Sequence, residues 1–223
     1  MTDTSDNHLY DKLRKLGTSS IGGILDALKI DGLMPLLKPI AASKPFAGPA
    51  FTVKADVGSR DTYAPAGFNI ASYVDAAAPG DVIIIDAGGA PVSLMGGIAV
   101  LVAQARGVAG IAVHGGVRDG DEIAQTRFPV HARHVVPVSG RTRIHVLAIQ
   151  TPIEIDGCRI NPGDVLVGDG SGIVCIPREH ATSVVAMGEK VLRRDELARA
   201  AVLAGANFKD AFAAADRQIQ NEQ

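Results

Sequence analysis

The sequence predicts an α/β domain followed by a C-terminal helical arm. Three observations support this: a strand–helix–strand unit in the middle of the chain, a series of short strands after it, and a long helical pattern near the end. Of the 223 residues, 47% are hydrophobic, which is enough for one core. Only 4% are aromatic while 25 are glycine, so we expect an aliphatic core and glycines where the backbone needs room.

The predicted elements divide the chain into three segments. Residues 1–16 are a polar, frayed start and a short helix, Leu9 to Leu16, that ends at Gly17. Residues 17–178 form the α/β domain. Residues 179–223 form the helical arm, which we expect to dock on a neighbouring subunit.

The domain begins with a second helix and a proline-rich segment. Apolar residues recur at helical spacing after Gly17 at Ile21, Ile24, Leu25 and Leu28. Prolines interrupt residues 32–49, so we expect this segment to wrap the surface before a strand at Ala50 to Ala55.

The middle of the chain contains the strand–helix–strand unit. Val82 to Ile85 and Gly110 to His114 read as buried strands, and Gly97 to about Arg106 reads as the helix between them. In a parallel sheet the loops that follow both strands lie at one edge. The glycine-rich loops at Ala87 to Pro91 and Gly115 to Gly120 should therefore face each other.

The region after Pro129 reads as short strands and then a helix that ends near Gly205. The Asp156-Gly157 dipeptide is typical of a hairpin turn. The predicted strands are Val135 to Val138, Ile144 to Ile149, a hairpin over Ile153 to Ile160, Val165 to Val167 and Ile173 to Ile176.

Composition excludes several classes of function. A net charge of −2 provides no basic field for nucleic acid, and apolar runs such as Ile98 to Ala103 are far shorter than a membrane span. The polar start at residues 1–7 has no signal-peptide pattern, so a soluble cytoplasmic protein is expected. Cys158 and Cys175 read as buried thiols.

Two glycines at the start of the central helix suggest an anion site. With no side chain at Gly96 and Gly97, a carboxylate or phosphate could approach the amides of Ile98 and Ala99 at the helix N-terminus. The same glycines could equally serve close helix packing. The usual fingerprints of nucleotide binding do not occur in the sequence.

The second loop carries Arg118 beside Asp119. Arginine offers a planar fork to a carboxylate or keto acid, and aspartate is a hard oxygen ligand for a divalent cation such as Mg²⁺. A solvated surface pair is the alternative interpretation. His114, just before this loop, reads as a structural histidine rather than a ligand.

A carboxylate interrupts the apolar stripe of the last long helix. Counting by four and three from Ala181 through Val185, Gly188 and Leu192 reaches Asp195. A charge on such a stripe needs a partner or a site, for which a neighbouring subunit is one candidate. A plain end of the stripe is the other interpretation.

Several sequence segments, in order, resemble the 4-hydroxy-4-methyl-2-oxoglutarate aldolase and RraA-like family. The resemblance implies a swivelling β/β/α domain that assembles into homotrimers or hexamers with sites between subunits. The matching segments are Leu25-Asp26-Ala27-Leu28, Gly48 to Val53, Pro79-Gly80-Asp81-Val82 with Ile85-Asp86, Arg106-Gly107, Gly116-Val117-Arg118-Asp119, Phe128-Pro129-Val130, Pro162-Gly163-Asp164 and Gly168-Asp169.

The resemblance also implies an activity. Aldolases of this family are similar to class II pyruvate aldolases that use Mg²⁺ or Mn²⁺ to cleave 4-hydroxy-4-methyl-2-oxoglutarate or 4-carboxy-4-hydroxy-2-oxoadipate to pyruvate, and they also decarboxylate oxaloacetate. By position, Asp119 would ligate the metal directly. Asp195 from a neighbouring subunit would reach it through water, with Glu196 as the next choice.

The carried-over substrate roles fall on the two glycine-rich segments. Arg118 would hold the 2-oxo acid and stabilise the developing enolate, and with Asp119 it forms the expected catalytic pair. Gly96 and Gly97 would line the site, with the amides of Ile98 and Ala99 on the pyruvyl carboxylate.

One departure stands at Gly97, where the aldolases carry an acid that holds metal-bound water. Its loss motivates two alternatives to the lyase: a non-catalytic RraA-like protein that regulates a ribonuclease by contact, and a sensor of small carboxylates. If the lyase interpretation holds, Gly97→Asp should raise the metal-dependent rate, unless His114 has taken over the role.

Overall fold

A ten-stranded mixed sheet forms the centre of the protein. The computed structural model describes residues 4–41 and 44–221. The strands run in the order β1-β12-β11-β3-β4-β6-β7-β2, with β5 paired to β6 and β8 paired to β3, and β9 and β10 form a separate hairpin. The strands are β1 (Leu33–Met34), β2 (Lys38–Pro39), β3 (Phe46–Val57), β4 (Val82–Asp86), β5 (Ser93–Met95), β6 (Gly110–Val117), β7 (Val130–Val135), β8 (Ile144–Ile149), β9 (Ile153–Ile155), β10 (Cys158–Ile160), β11 (Val165–Asp169) and β12 (Gly172–Ile176).

Helices form both ends of the described chain, and they cover one face of the sheet. They are α1 (Thr4–Leu28), α2 (Ala71–Val74), α3 (Gly97–Ala105), α4 (Gly120–Thr126), α5 (Ala181–Leu203) and α6 (Phe208–Asn221). The predicted α/β class with C-terminal helices is confirmed. Among the described residues, no helix has both the length and the apolar character that a bilayer span requires.

The middle of the sheet is parallel and buried on both faces. Strand β4 pairs in parallel with β3 on one side and β6 on the other. Its residues alternate between two cores: Ile83 and Ile85 face α3, whereas Val82 and Ile84 face the β9–β10 hairpin. This explains the continuous aliphatic sequence of β4, because a strand covered on both faces has no polar side.

A third core joins the two ends of the chain. Leu13 of α1 and Val184 of α5 are fully buried together against β11 and β12. Gly17 breaks α1 at φ 72°, ψ 159°, as the sequence predicts. The helix starts at Thr4 rather than at the predicted Leu9, and Leu9 packs against this core. Residues 1–3 lie outside the described residues.

Within its described residues, the proline-rich segment forms no helix, but it contains short strands that were not predicted. It forms β1 and β2, which pair with β12 and β7, and β3 begins at Phe46 rather than Ala50. Fully buried Met34 and Leu37 hold the segment against the sheet. Residues 42 and 43 of this segment fall outside the described ranges.

The loop expected at Gly115 to Gly120 is much shorter than predicted. Strand β6 continues to Val117, because its pairing with β5 and β7 extends past His114. The first strand after Pro129 is likewise Val130–Val135, displaced from the predicted Val135 to Val138 by its parallel register with Ile111. Only Arg118 and Asp119 then separate β6 from α4.

Candidate active site

The start of α3 lies beside the segment that follows β6. Gly96 precedes the helix in an extended conformation, and Gly97 is its first residue. The Gly97 amide donates to Asp119 Oδ2 at 3.2 Å. The predicted meeting of the two segments is therefore present in the fold, because β4 and β6 are adjacent parallel strands.

Asp119 is fixed by the backbone on both sides. The Arg118 amide donates to the Met95 carbonyl at 3.0 Å, and the Ile123 amide donates to the Asp119 carbonyl at 2.9 Å. Asp119 has φ 59° and ψ 41°, a left-handed conformation that aspartate tolerates better than most residues. Its carboxylate is thereby directed toward α3, with Arg118 Nε 3.4 Å from Oδ2.

Gly96 is required by the close approach of this pair. A Cβ at position 96 would lie 2.6 Å from Asp119 Oδ2 and 3.0 Å from Arg118 Nε. By contrast, Gly115 and Gly116 pack against Leu94 and Val92 rather than facing the site. The glycine excess thus serves the site at the helix start, and strand packing elsewhere.

A cavity of about 980 Å³ opens in front of Arg118 and Asp119. Its lining combines apolar side chains, such as Phe68, Ile70 and Val102, with polar ones. The side chains of Arg118 and Asp119 are 53% and 40% exposed, so a ligand can reach them. Further lining residues are Ile98, Ala99, Glu122, Ser139 and Arg141.

The first amides of α3 are available to an anion. Ile98 and Ala99 occupy the first turn, where backbone N–H groups have no partner within the helix. In the part of the chain that the structure describes, neither amide donates to another group, and both residues line the cavity. The predicted carboxylate-binding role of these two amides stays a prediction.

The donor chemistry at the cavity suits a hard divalent cation. Asp119 and Glu122 both place carboxylates on its lining, and carboxylate oxygens with water are what Mg²⁺ and Mn²⁺ prefer. Within residues 4–41 and 44–221, no three His, Cys, Asp or Glu side chains cluster as a metal site. One protomer therefore supplies at most two carboxylates, a set that fits an ion retaining much of its water.

Asp195 lies away from this cavity in its own protomer. It is exposed on α5, as is Glu196. The apolar stripe passes instead through buried Ala198, so Asp195 is not a buried charge in need of a partner. Its expected role across a subunit interface stays a prediction.

Sequence reasoning missed Glu122 because it missed α4. The signal was present: Asp121 and Glu122 are acids in the first turn, followed by Ile123 as the buried anchor of the helix. Glycine at position 120 and the short length of the helix hid the pattern.

A separate charged network lies on the opposite face of the sheet from α3. Lys54, Asp86 and His114 are side by side on β3, β4 and β6. His114 Nδ1 donates to Asp86 Oδ1 at 3.1 Å, because the other ring nitrogen accepts from Arg133 at 3.0 Å. Arg133 also contacts Asp156 in the β9–β10 turn at 3.2 Å.

Asp86 is strongly held in its ionised form. Burial alone would raise its pKa, but hydrogen bonds from His114, Lys54 and the Gly88 amide bring the pKa to about 2. The structural interpretation of His114 fits this placement, since the residue is 7% exposed and does not line the cavity. Cys158 and Cys175 are buried free thiols, as expected.

Comparison with known proteins decides the family. The family model RraA-like (Aldolase/RraA) matches residues 21–175. The chain belongs to the RraA-like family. A relative from Halalkalibacterium halodurans, named "Putative 4-hydroxy-4-methyl-2-oxoglutarate aldolase", is 32% identical over 192 residues, 86% of this chain and 87% of that protein.

Solved structures of similar proteins agree in fold. A crystal structure of an uncharacterized protein from Pseudomonas syringae pv. tomato has TM-score 0.83 and 29% identity, covering 92% of this chain and 96% of that one. Streptomyces coelicolor RraAS2, titled a member of the RNase ES inhibitor family, has TM-score 0.78 at 22% identity, covering 86% and 96%. The latter likeness shows the fold alone.

One relative is much longer than this chain. Protein DlpA of Legionella pneumophila is 30% identical over 211 residues, which are 94% of this chain and 34% of that protein. The chain thus spans about a third of DlpA. The names of these similar proteins are of two kinds, one of an aldolase and one of an RNase ES inhibitor family.

Proposed function

We propose that this protein is a divalent-metal-dependent lyase that cleaves a 4-hydroxy-2-oxo acid to pyruvate. The substrates would be of the 4-hydroxy-4-methyl-2-oxoglutarate or 4-carboxy-4-hydroxy-2-oxoadipate type, with oxaloacetate decarboxylation as a side activity. The observation that carries the proposal is the convergence of Arg118, Asp119 and the free first amides of α3 on one open cavity.

Each group has a place in binding the substrate. The amides of Ile98 and Ala99 would donate hydrogen bonds to the pyruvyl carboxylate at the positive end of α3. The guanidinium of Arg118 would hold the 2-oxo group and stabilise the negative charge that develops on its oxygen. Asp119 would ligate Mg²⁺ or Mn²⁺, which when bound supplies a Lewis acid for the 2-oxo oxygen.

The bond changes balance without a further reactant. The 4-hydroxyl loses its proton to a base as the C3–C4 bond breaks, and the electron pair of that bond passes into the pyruvate enolate. Protonation at C3 then gives pyruvate, and C4 becomes the second carbonyl. In oxaloacetate the same enolate forms when CO₂ leaves. The cavity, at about 980 Å³, has room for either substrate.

A homo-oligomer, trimer or hexamer, is part of the proposal. The outer face of α3 beside the cavity is apolar, with Ile98 76%, Leu101 45% and Val102 38% exposed. A second copy of the chain covering this face would remove apolar surface from water. The neighbour's Asp195 could then approach the cavity, as the family resemblance expects.

The test is pyruvate release from 4-hydroxy-4-methyl-2-oxoglutarate and from oxaloacetate, with Mg²⁺ or Mn²⁺ and after chelation. We expect turnover of at least one substrate, lost on chelation and restored by the metal. Absence of metal-dependent turnover on every substrate would reject the lyase.

The second candidate is a non-catalytic protein that binds a ribonuclease. The observation that favours it is Gly97, which removes the acid that the aldolases carry there. A pull-down with a ribonuclease distinguishes the two functions. A stable complex that survives Arg118→Ala, in a protein without lyase activity, would favour contact regulation.

A further inference from the structure

The space over Gly97 is filled by the side chain of Glu122. An ideal Cβ at position 97 would lie 2.1 Å from Glu122 Oε2, 2.3 Å from its Cδ and 2.9 Å from its Cγ. A real Cβ atom does not lie this close to a non-bonded heavy atom. Any residue other than glycine at position 97 would therefore displace Glu122.

The backbone gives no other reason for glycine at this position. Gly97 is the first residue of α3, and its φ lies outside the left-handed region that favours glycine. Alanine would also suit a helix better than glycine by about 1 kcal/mol. Glycine at position 97 leaves room for the Glu122 carboxylate, as Gly96 leaves room for Asp119.

Two carboxylates, those of Asp119 and Glu122, thus converge on the start of α3. Arg118 is near Asp119, and Glu122 has no hydrogen bond or ion pair with any group in the described part of the chain. Glu122 lines the cavity. Its place in α4 is fixed because the neighbouring Ile123 is 1% exposed and the Ile123 amide donates to the Asp119 carbonyl. A divalent cation bound near Asp119 would give the Glu122 carboxylate a partner of opposite charge.

We propose that Glu122 supplies the second carboxylate of the metal site, in place of a residue at position 97. It would act as a positioning residue, accepting hydrogen bonds from water on the ion that Asp119 binds. The inference rests on the proposed function for the identity of the ion. It also accounts for the departure at Gly97: the acid expected at the start of α3 is supplied instead from α4.

Direct Mn²⁺ affinity, measured by titration calorimetry, tests the inference in the full chain. Glu122→Gln should weaken Mn²⁺ binding about 10- to 100-fold, as loss of an outer carboxylate does at other metal sites. The matched control is Asp121→Asn, which removes the adjacent exposed acid of the same turn and should leave the affinity unchanged. Melting without metal checks that both variants fold.

A relocation of the acid gives the sharper test. Glu122→Ala should weaken Mn²⁺ binding, and Gly97→Asp added to it should recover most of the loss, because the shortened side chain frees the space over residue 97. Gly97→Asp alone should not raise the affinity, since the two acids compete for one space. Equal Mn²⁺ affinity in Glu122→Gln and Asp121→Asn would overturn the inference.

The outcomes separate this inference from the lyase proposal. Metal-dependent turnover in the unaltered protein, with Glu122→Gln binding Mn²⁺ normally, rejects only the role of Glu122. Weakened Mn²⁺ binding in Glu122→Gln, with no turnover in the unaltered protein, supports Glu122 and rejects the lyase. No Mn²⁺ binding by the unaltered protein rejects both.

Discussion

Two groups of charged residues lie on opposite faces of the same sheet, and they differ in how completely they are paired. One group, here called the inner network, consists of Lys54, Asp86 and His114. Asp86 is 2% exposed and accepts hydrogen bonds from Lys54, His114 and a backbone amide. At the cavity, Asp119 is 40% exposed and Glu122 has no partner in the described residues. A fully paired buried charge stabilises the fold, whereas under-paired exposed charges are available to a ligand.

The largest expected effect is at the cavity. Asp119→Asn keeps an oxygen to accept the Gly97 amide, so the fold should persist, but it removes the anionic ligand. Because losing an outer acid already costs about 10- to 100-fold in activity, losing the direct ligand should lower metal-dependent pyruvate release by more than about 100-fold. Steady-state assays would check this, with Asp121→Asn as the control. A variant with more than a tenth of the activity would contradict it.

A substitution in the inner network should lower the stability of the fold and leave metal binding unchanged. Asp86→Ala removes the acceptor of buried His114, and an unsatisfied buried donor costs about 1 to 3 kcal/mol. Lys54 is 43% exposed, so water can replace its lost partner. Chemical denaturation should show this loss in the free energy of unfolding. Mn²⁺ affinity of the folded fraction should not change, and an altered affinity would mean that the two groups are coupled.

Lowering the pH should weaken the hydrogen bonds to Asp86 before it disturbs the packing of the hydrophobic core. The pKa of Asp86 is about 2 in the folded protein against an ordinary 3.8, so the folded state favours the ionised form. The resulting stabilisation, on the order of 2 kcal/mol, is present above about pH 4 and is lost as the pH falls toward 2. Denaturation at a series of pH values would measure it. If the free energy of unfolding of Asp86→Asn depends on pH in the same way, other groups cause the effect.

The smallest expected effect tests the room that Gly96 leaves. Gly96→Ala places a Cβ 2.6 Å from Asp119 Oδ2, so the carboxylate must move. A shift of a fraction of an ångström should lower pyruvate release by about tenfold, given that about 1 Å can cost 100-fold. Gly23→Ala, on an open face of α1, is the control and should leave the rate unchanged. If Gly96→Ala releases pyruvate as fast as the unaltered protein, Asp119 tolerates displacement.

Much of this arrangement could be predicted from local sequence. The aliphatic run at Val82 to Ile85, the hairpin at Asp156-Gly157 and the break at Gly17 follow from residue periodicity and backbone preference. The pairing of Arg118 with Asp119 next to α3 follows from the parallel order of the strands. These features depend on residues close in the chain or on a general rule of sheet connection.

Other features depended on contacts that local patterns do not encode. The length of β6 was misjudged because pairing with β5 and β7 overrides the preference of Gly115 and Gly116 for turns. His114 was placed at a strand end near the loop, whereas its side chain faces Asp86 inside the protein.

The sequence by itself determined the α/β class, the family resemblance and the position of the Arg118-Asp119 pair. Only the tertiary structure decided what the glycines before α3 are for. The sequence shows an acid missing at position 97 and another acid 25 positions later, with nothing to connect them. Packing of α4 beside α3 brings the Glu122 carboxylate over Gly97, and a side chain's reach across two helices is set by that packing.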